Sequence, residues 1–161
     1  MQKVTPFLWF DEQAEEAVNF YTSIFKNSKI KQVSRYDRDS AKASGRAEGS
    51  VMVITFELDG QDYMALNGGP VFKFNPAISF MINCDTQEEI DRMWDELSDG
   101  GSIQGCGWVT DKFGISWQVV PKVFGTMMKD PDAAKTRRVM ASLLQMQKLD
   151  IEALEKAFAG V

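Results

Sequence analysis

The polar side chains in this sequence that could contact a ligand are mostly neutral. Ser79 and Gln118 lie in strand-like segments, and Cys106 lies between two glycines. Amides and hydroxyls orient a bound molecule through hydrogen bonds, whereas a nucleophilic cysteine needs a basic neighbour that favours the thiolate. No basic residue adjoins Cys106, so we predict ligand contact and no catalytic role for these three residues. The alternatives are structural: a hydrogen bond across a sheet for Gln118, and packing for Ser79.

Aromatic side chains could supply the apolar part of the same site. Trp9, Phe74 and Trp108 are large enough to line an apolar cavity, and Asn67 begins an Asn-Gly-Gly turn that could close it. We predict that these four residues contact the ligand as well. Their alternatives are core packing for the aromatic residues and an ordinary turn for Asn67.

Histidine is absent from the sequence. Its absence removes the commonest general base, the usual zinc ligand, and the Ser-His-Asp and Cys-His arrangements. The two cysteines, Cys84 and Cys106, are too few for a disulfide framework. We therefore predict no catalytic residue, no metal ion and no cofactor.

Composition limits the remaining function classes. The 161 residues suit one domain, with 44% hydrophobic and 25% charged residues. A net charge of −5 without a basic cluster argues against a nucleic-acid partner. No apolar run approaches the roughly 18–20 residues of a membrane helix, and the N-terminal segment lacks the pattern of a signal peptide. We expect a cytoplasmic protein that does not enter a membrane.

Two similar segments indicate how the chain is organised. Segments 60–66 and 114–120 each contain a glycine, two further residues, an aromatic residue and an apolar strand. The first half reads β-α-β-β-β, with strands at 4–10, 29–36, 50–58 and 61–66 and a helix after Asp11, its predicted cap. Segment 37–49 reads as a mobile hydrophilic connection. The second half again reads strand, helix, then strands, with strands at 77–83 and 115–120, short strand material at 103–109 and a helix at 85–98.

The segment after Pro121 contains only helical patterns. One predicted helix begins at Pro131, with Asp130 as its cap, and runs to about residue 148. Asp150 caps the last predicted helix. Both have apolar stripes, which must cover a sheet or a partner subunit.

With these patterns, several short motifs resemble the PhnB-like branch of the vicinal oxygen chelate superfamily, which includes glyoxalase I, bleomycin resistance proteins and extradiol dioxygenases. The branch is often labelled a 3-demethylubiquinone-9 3-methyltransferase domain. The motifs are Trp9-Phe10-Asp11, Ala14-Glu15-Glu16-Ala17, Phe20-Tyr21, Ala65-Leu66-Asn67-Gly68-Gly69-Pro70, Phe72-Lys73-Phe74-Asn75, Ile78-Ser79-Phe80, Asn83-Cys84-Asp85, Cys106-Gly107-Trp108, Asp111-Lys112-Phe113-Gly114 and Ser116-Trp117-Gln118. The resemblance implies two βαβββ modules whose curved sheets enclose a cleft, and a homodimer.

The resemblance also identifies the positions where a metal ligand would lie. Metal-dependent members place His or Glu on the first and last strands of each module. The last-strand positions are Met64 and Gln118 here, and the first-strand positions fall near Pro6 or Leu8 and near Ala77 or Ser79. None is His, Asp or Glu, so the resemblance implies a scaffold without the metal site.

We therefore predict an α+β fold with two βαβββ modules, like that of glyoxalase and bleomycin-resistance proteins, and a C-terminal helical extension. Residues 1–161 form one domain, with modules at about 1–70 and 71–121 and a tail at 122–161. The predicted function is metal-free binding of a small, partly apolar molecule in the cleft. One alternative is a glyoxalase- or dioxygenase-like enzyme with a metal bound elsewhere, for instance by acidic residues of segment 37–49. A methyltransferase is the further alternative, which the Gly68-Gly69-Pro70 sequence disfavours because no helix follows the glycines.

Overall fold

The computed structural model describes residues 2–161, and its first unit ends at Phe74. A four-stranded sheet in the order β1-β4-β3-β2 forms this unit, with β1 parallel to β4 and the other pairs antiparallel. Its elements are β1 (Phe7–Phe10), α1 (Ala14–Ile24), β2 (Lys29–Arg35), α2 (Arg38–Ser44), β3 (Val51–Leu58) and β4 (Gln61–Asn67).

Helix α1 packs on one face of the first sheet because its apolar residues recur on one side. Ala17, Val18 and Tyr21 are fully buried, as are Ile54 and Ala65 on the strands beneath the helix. The cap of α1 differs from the prediction. The Asp11 side chain does not cap this helix; the Asn67 side chain, at the end of β4, accepts a hydrogen bond from the Ala14 amide at 2.8 Å.

Segment 37–49 contains a helix, so its prediction as an irregular connection was wrong. Helix α2 begins with a capping box: the Asp37 carboxylate accepts from the Ser40 amide at 2.8 Å, and the Ser40 hydroxyl accepts from the Asp37 amide at 2.9 Å. Gly45, with a φ of 71°, ends the helix in the left-handed conformation. Seven residues with both ends satisfied are enough for two helical turns.

The second unit, from Asn75 onwards, repeats the first sheet and adds three helices. The strand order β5-β8-β7-β6 is the same as in the first sheet, again with one parallel pair, β5 with β8. The predicted α+β fold with two βαβββ modules is thereby confirmed. The elements are β5 (Ser79–Cys84), α3 (Gln87–Ser98), β6 (Ser102–Gly105), β7 (Trp108–Thr110), β8 (Ser116–Pro121), α4 (Lys122–Met127), α5 (Ala133–Leu143) and α6 (Ile151–Ala159).

The hairpin between β7 and β8 is organised around one carboxylate. Asp111 is 3% exposed, and its oxygens accept hydrogen bonds from the amides of Phe113 and Ile115 and from the indole N–H of Trp117, at 2.8–3.1 Å. A buried carboxylate is tolerated because these donors replace the water that it loses. The sequence shows Asp111 only as a turn residue.

The tail helices enclose a small core of their own against the end of β8. Val120 of β8 packs with Met127, Val139, Leu143, Leu149 and Leu154. Helix α4 was not predicted. Helix α5 is shorter than predicted at both ends, since Asp132, not Asp130, caps it and Leu143 is its last residue. The predicted cap of the last helix is confirmed, because the Asp150 carboxylate accepts from the Ala153 amide at 2.9 Å.

Candidate functional site

Three predicted site residues lie on the same face of the second sheet. Because side chains alternate along a strand, Trp117 and Val119 are buried on the side of α3, and Gln118 lies on the opposite side. The Gln118 side-chain amide donates a hydrogen bond to the Ser79 hydroxyl oxygen at 2.8 Å. Trp108 of β7 is in register with Gln118, so strands β5, β7 and β8 bring these three residues together.

The side chains of this face are uncharged over three strands. The Gln104 amide donates to the Thr110 hydroxyl, and the Thr110 and Ser116 hydroxyl oxygens are 3.4 Å apart. Met81 is in register with Gln118 on the side away from Trp108 and is 54% exposed. We call this surface the Gln118 face, and its members are Ser79, Met81, Trp108, Thr110, Ser116 and Gln118. It combines two apolar side chains with neutral hydrogen-bonding groups.

Cys106 lies beyond the strands of this face, in the turn between β6 and β7. Its φ is 53°, and the flanking Gly105 and Gly107 also have positive φ. The Cys106 amide donates to the Met146 carbonyl at 2.8 Å, and the side chain packs against the core of the tail helices. Its position fits the bulge-like turn that two glycines allow. Ligand contact by Cys106 stays a prediction.

In the first unit, Trp9 lies on the face of the sheet opposite α1. It is in register with Leu66, and its indole N–H donates to the Gly69 carbonyl at 2.9 Å. The ring of Phe72 meets the Trp9 ring edge-on, with 5.0 Å between centroids. This aromatic pair is partly exposed, as a ligand contact requires.

The other two predicted residues of the first unit, Asn67 and Phe74, are engaged on the side of α1. The Asn67 amide accepts from the Ala14 N–H and donates to the Val51 carbonyl at 3.2 Å. Phe74 packs edge-on against Phe10, with 5.1 Å between ring centroids. The structure therefore gives each residue a role in the fold, and their contact with a ligand stays a prediction.

The positions at which related proteins hold a metal ion have side chains that do not fit one. In the first sheet Met64 is in register with Phe7, while Leu8 is buried on the other face. In the second sheet the equivalent position is Gln118, bonded to Ser79. A thioether, an amide and a hydroxyl are weak ligands for divalent cations that enzymes use. Across residues 2–161, no three His, Cys, Asp or Glu side chains form a cluster suited to a metal ion.

Gly68 and Gly69 do not fit a nucleotide-binding turn either. A Cβ atom at Gly68 would lie 2.3 Å from the Trp9 ring, so Gly68 is required by the packing of that ring. Pro70 and the residues up to Ile78 form no helix, and neither sheet is doubly wound. The strand, glycine turn and helix that bind S-adenosylmethionine in typical methyltransferases are therefore not formed here.

Cys84 has the properties of a core residue. It is fully buried at the end of β5, and burial, with a smaller contribution from Glu89, raises the pKa of its thiol to about 12. A thiol with this pKa is protonated at neutral pH and is a poor nucleophile.

A cavity that was not predicted from the sequence lies among the tail helices. Its volume is about 400 Å³, within the range of small-molecule sites. The lining residues are Val123, Thr126, Met127, Lys129, Asp130, Glu155 and Phe158. No pattern in the sequence signals it, because α4 was not predicted.

Comparison with known proteins identifies the family. The model of the family described as 3-demethylubiquinone-9 3-methyltransferase matches residues 2–120. The chain belongs to this PhnB-like family. The match ends before the tail helices, so the family resemblance covers the two modules and not the extension. None of the proteins with curated functions matches this chain in sequence.

One solved structure supports the assignment to the PhnB-like family. A PhnB protein from Bacillus cereus is 41% identical, covering 74% of this chain and 99% of its own, with a TM-score of 0.67. Protein PA1353 from Pseudomonas aeruginosa is 21% identical, covering 76% and 98% of the two chains, with a TM-score of 0.61, and shows the fold alone. A glyoxylase/bleomycin resistance protein/dioxygenase domain from Frankia sp. is 13% identical over 75% of this chain and 92% of its own, with a TM-score of 0.47.

Within residues 2–161, no helix combines the length and the apolar character that a membrane span needs.

Proposed function

We propose that this PhnB-like protein binds a small, partly apolar molecule on the Gln118 face without a metal ion. The observation that carries the proposal is the hydrogen bond from Gln118 to Ser79, at the position where metal-dependent relatives of this fold place a ligand. An amide held by a hydroxyl can orient a substrate by hydrogen bonding, but it cannot replace a charged metal ligand.

The composition of the Gln118 face supports a ligand that is partly apolar. Binding sites for small molecules are mostly apolar, with a few placed polar groups that fix the orientation of the ligand. Trp108 and Met81 supply apolar contact on either side of Gln118, and all three side chains are partly or largely exposed.

No observation favours the alternative functions. Segment 37–49 could have supplied acidic metal ligands, but the carboxylate of Asp37 caps α2. Within residues 2–161, its other carboxylates, Asp39 and Glu48, belong to no cluster of three potential metal ligands. A methyltransferase is supported only by the description of the family, because the glycine turn serves the packing of Trp9.

Ligand screening with matched variants tests the proposal. A panel of neutral aromatic fragments is screened by protein-observed NMR against the full chain and against the Gln118→Ala and Gln145→Ala variants. Gln145 is an exposed residue near the end of α5 and serves as the control. We expect fragments that perturb the signals of Ser79, Trp108 and Gln118, with affinity lost in Gln118→Ala and kept in Gln145→Ala. If no fragment perturbs this face, the proposed binding function is wrong.

Elemental analysis tests the metal-free part separately. We expect the purified protein to contain no stoichiometric manganese, iron, nickel or zinc, and fragment binding to be unchanged by a chelator. Stoichiometric metal that is lost together with fragment binding would contradict this part of the proposal.

We also propose that the protein is a cytoplasmic homodimer, as the superfamily resemblance implies for its assembly. Phe7 on β1 is 52% exposed, and this strand is at the edge of its sheet. Exposed edges with apolar side chains are commonly covered by a partner. Light scattering should give twice the 18.1 kDa mass of one chain, and a monomer at micromolar concentration would contradict the proposal. Fractionation of cells that produce the protein tests its location.

A further inference from the structure

We propose that the ligand of the Gln118 face is an uncharged planar ring that carries a hydrogen-bond donor beside an acceptor, such as a cyclic amide. This inference rests on the proposed function and specifies its ligand class. The Gln118 side chain would recognise the donor and acceptor together, and Ser79 would act as a positioning residue that fixes the amide.

The hydrogen-bonding capacity of the two side chains leads to this class. A glutamine amide has two N–H donors and a carbonyl acceptor. One N–H of Gln118 is donated to the Ser79 hydroxyl oxygen at 2.8 Å. Within residues 2–161, neither side chain has another hydrogen-bond partner. The second N–H and the carbonyl oxygen of Gln118 therefore keep unused hydrogen-bonding capacity.

The contact with Ser79 gives this pair of groups a fixed direction. A free glutamine side chain rotates about its terminal torsion and presents its amide in many orientations. The hydrogen bond to β5 restrains the amide group. In this proposal, Ser79 receives the N–H that points away from the carbonyl oxygen, so that the amide edge with a donor beside an acceptor is left for the ligand. The complementary ligand edge is an acceptor beside a donor, which a cyclic amide or an amino-substituted nitrogen heterocycle provides. Bidentate contacts of this kind are the ones that glutamine makes with adenine in DNA.

The neighbours of Gln118 favour a flat and neutral ligand. Trp108 and Met81 are in register with Gln118 on the two adjacent strands. An indole ring and a thioether both make favourable contacts with an aromatic ring. The other members of the Gln118 face are hydroxyl-bearing, with no charged side chain to pair with a carboxylate, a phosphate or an ammonium group. A charged ligand would lose its hydration without compensation.

Five probes of similar size test the inference on the full chain by isothermal titration calorimetry. The lactam 2-quinolone and the amino heterocycle 2-aminoquinoxaline carry the donor and acceptor together. N-methyl-2-quinolone lacks the donor, quinoline lacks the donor and the carbonyl group, and quinoline-2-carboxylate is charged. We expect one or both of the first two probes to bind at least about tenfold more tightly than N-methyl-2-quinolone, because the carbonyl oxygen of Gln118 is left without a donor when N-methyl-2-quinolone binds.

Variants connect the preference to the two residues. Gln118→Ala should abolish the tenfold preference, and the exposed control Gln145→Ala should keep it. Ser79→Ala should reduce the ratio of the affinities for 2-quinolone and N-methyl-2-quinolone, while Ser79→Thr, which keeps the hydroxyl, should restore it. A merely structural role of Ser79 would lower both affinities together and leave their ratio unchanged.

Every outcome of the calorimetry supports or overturns the inferred ligand class, and the fragment screen tests the proposed function separately. Preference for 2-quinolone alone, for 2-aminoquinoxaline alone or for both supports the class and distinguishes its two chemical sources. Equal binding of N-methyl-2-quinolone or quinoline, or tightest binding of the carboxylate, overturns the inference and leaves the proposed function standing. If none of the five probes binds, the inference is overturned, and the wider fragment screen alone then decides the proposed function.

Discussion

At the scale of single residues, the buried carboxylate of Asp111 has the strictest hydrogen-bonding requirement. Its oxygens accept from two backbone amides and from the indole of Trp117, so the carboxylate organises the turn that leads into β8. Gln118 is the next residue along that strand. The stability of the hairpin and the placement of Gln118 therefore depend on the same group.

We predict that Asp111→Asn destabilises the protein by about 3 kcal/mol. An asparagine keeps one acceptor, but its N–H groups would face the N–H donors of the amides or of Trp117. Urea denaturation followed by circular dichroism measures the loss. Asp99→Asn, at an exposed position after α3, is the matched control and should change the free energy of unfolding by less than about 0.5 kcal/mol. Equal stability of the two variants would contradict the role given to Asp111.

At the scale of elements, patterns within one segment predicted helices and strands, whereas contacts between distant segments could not be predicted from the sequence. The stripes of α1 and α3 predicted these two helices, and the glycine-anchored segments predicted β4 and β8. The predicted strand segment 103–109 is in fact two strands, β6 and β7, which the turn at Cys106 and Gly107 separates. Helix α2 was missed although its cap is visible in the sequence, where Asp37 is followed three residues later by Ser40. The cap of α1 could not be read locally, because Asn67 is 53 residues away from Ala14.

Helix α1 and strand β4 should therefore lose stability together when Asn67 is changed. Asn67→Ala leaves the Ala14 N–H and the Val51 carbonyl buried without their partner, and we predict a loss of roughly 2–3 kcal/mol in the free energy of unfolding. Chemical denaturation measures it. Asn19→Ala, on the exposed side of the same helix, is the control and should have little effect. A loss below about 1 kcal/mol for Asn67→Ala would contradict the role of the Asn67 side chain as the cap of α1.

The tail helices are joined to α3 by an ion pair with a defined pH range. The ammonium of Lys148 is 2.7 Å from the Asp91 carboxylate. The hydrogen bond from Lys148 lowers the pKa of Asp91, and a second hydrogen bond from the Gln87 side chain lowers it further. The hydrogen bond between Lys148 and Asp91 also raises the pKa of Lys148. For Asp91 the stabilisation is complete above its unfolded pKa of about 3.9 and is lost as pH falls through the lower folded pKa. For Lys148 it is complete below about 10.4 and is lost as pH rises through the higher folded pKa.

We predict that Asp91→Asn lowers the thermal stability slightly at pH 7 and that the difference from the unchanged protein shrinks progressively as pH falls below about 4. Thermal denaturation from pH 2 to 7 measures this difference. Asp99→Asn, away from Lys148, should show no such convergence. A constant difference between Asp91→Asn and the unchanged protein down to pH 2 would contradict the assignment.

At the scale of the whole molecule, the sequence predicted the two similar modules better than it predicted the C-terminal tail. Equivalent positions could be aligned because both sheets have the same order, and Met64 and Gln118 fall on the corresponding strand in each. The contact between Gln118 and Ser79 follows from that alignment, because both lie on the same side of neighbouring strands. The cavity of the tail and helix α4 could not be predicted, since no second copy exists for comparison.

The attachment of the tail to the turn between β6 and β7 has a consequence during synthesis. The amides of Cys106 and Gly107 donate to the carbonyls of Met146 and Gln147, and Gln87 bonds to the backbone of Leu149 and Ile151. These partners leave the ribosome about forty residues after the turn itself. Until then Val120 and its neighbours lack their cover, so a nascent second module exposes apolar surface to chaperones while translation of the tail continues.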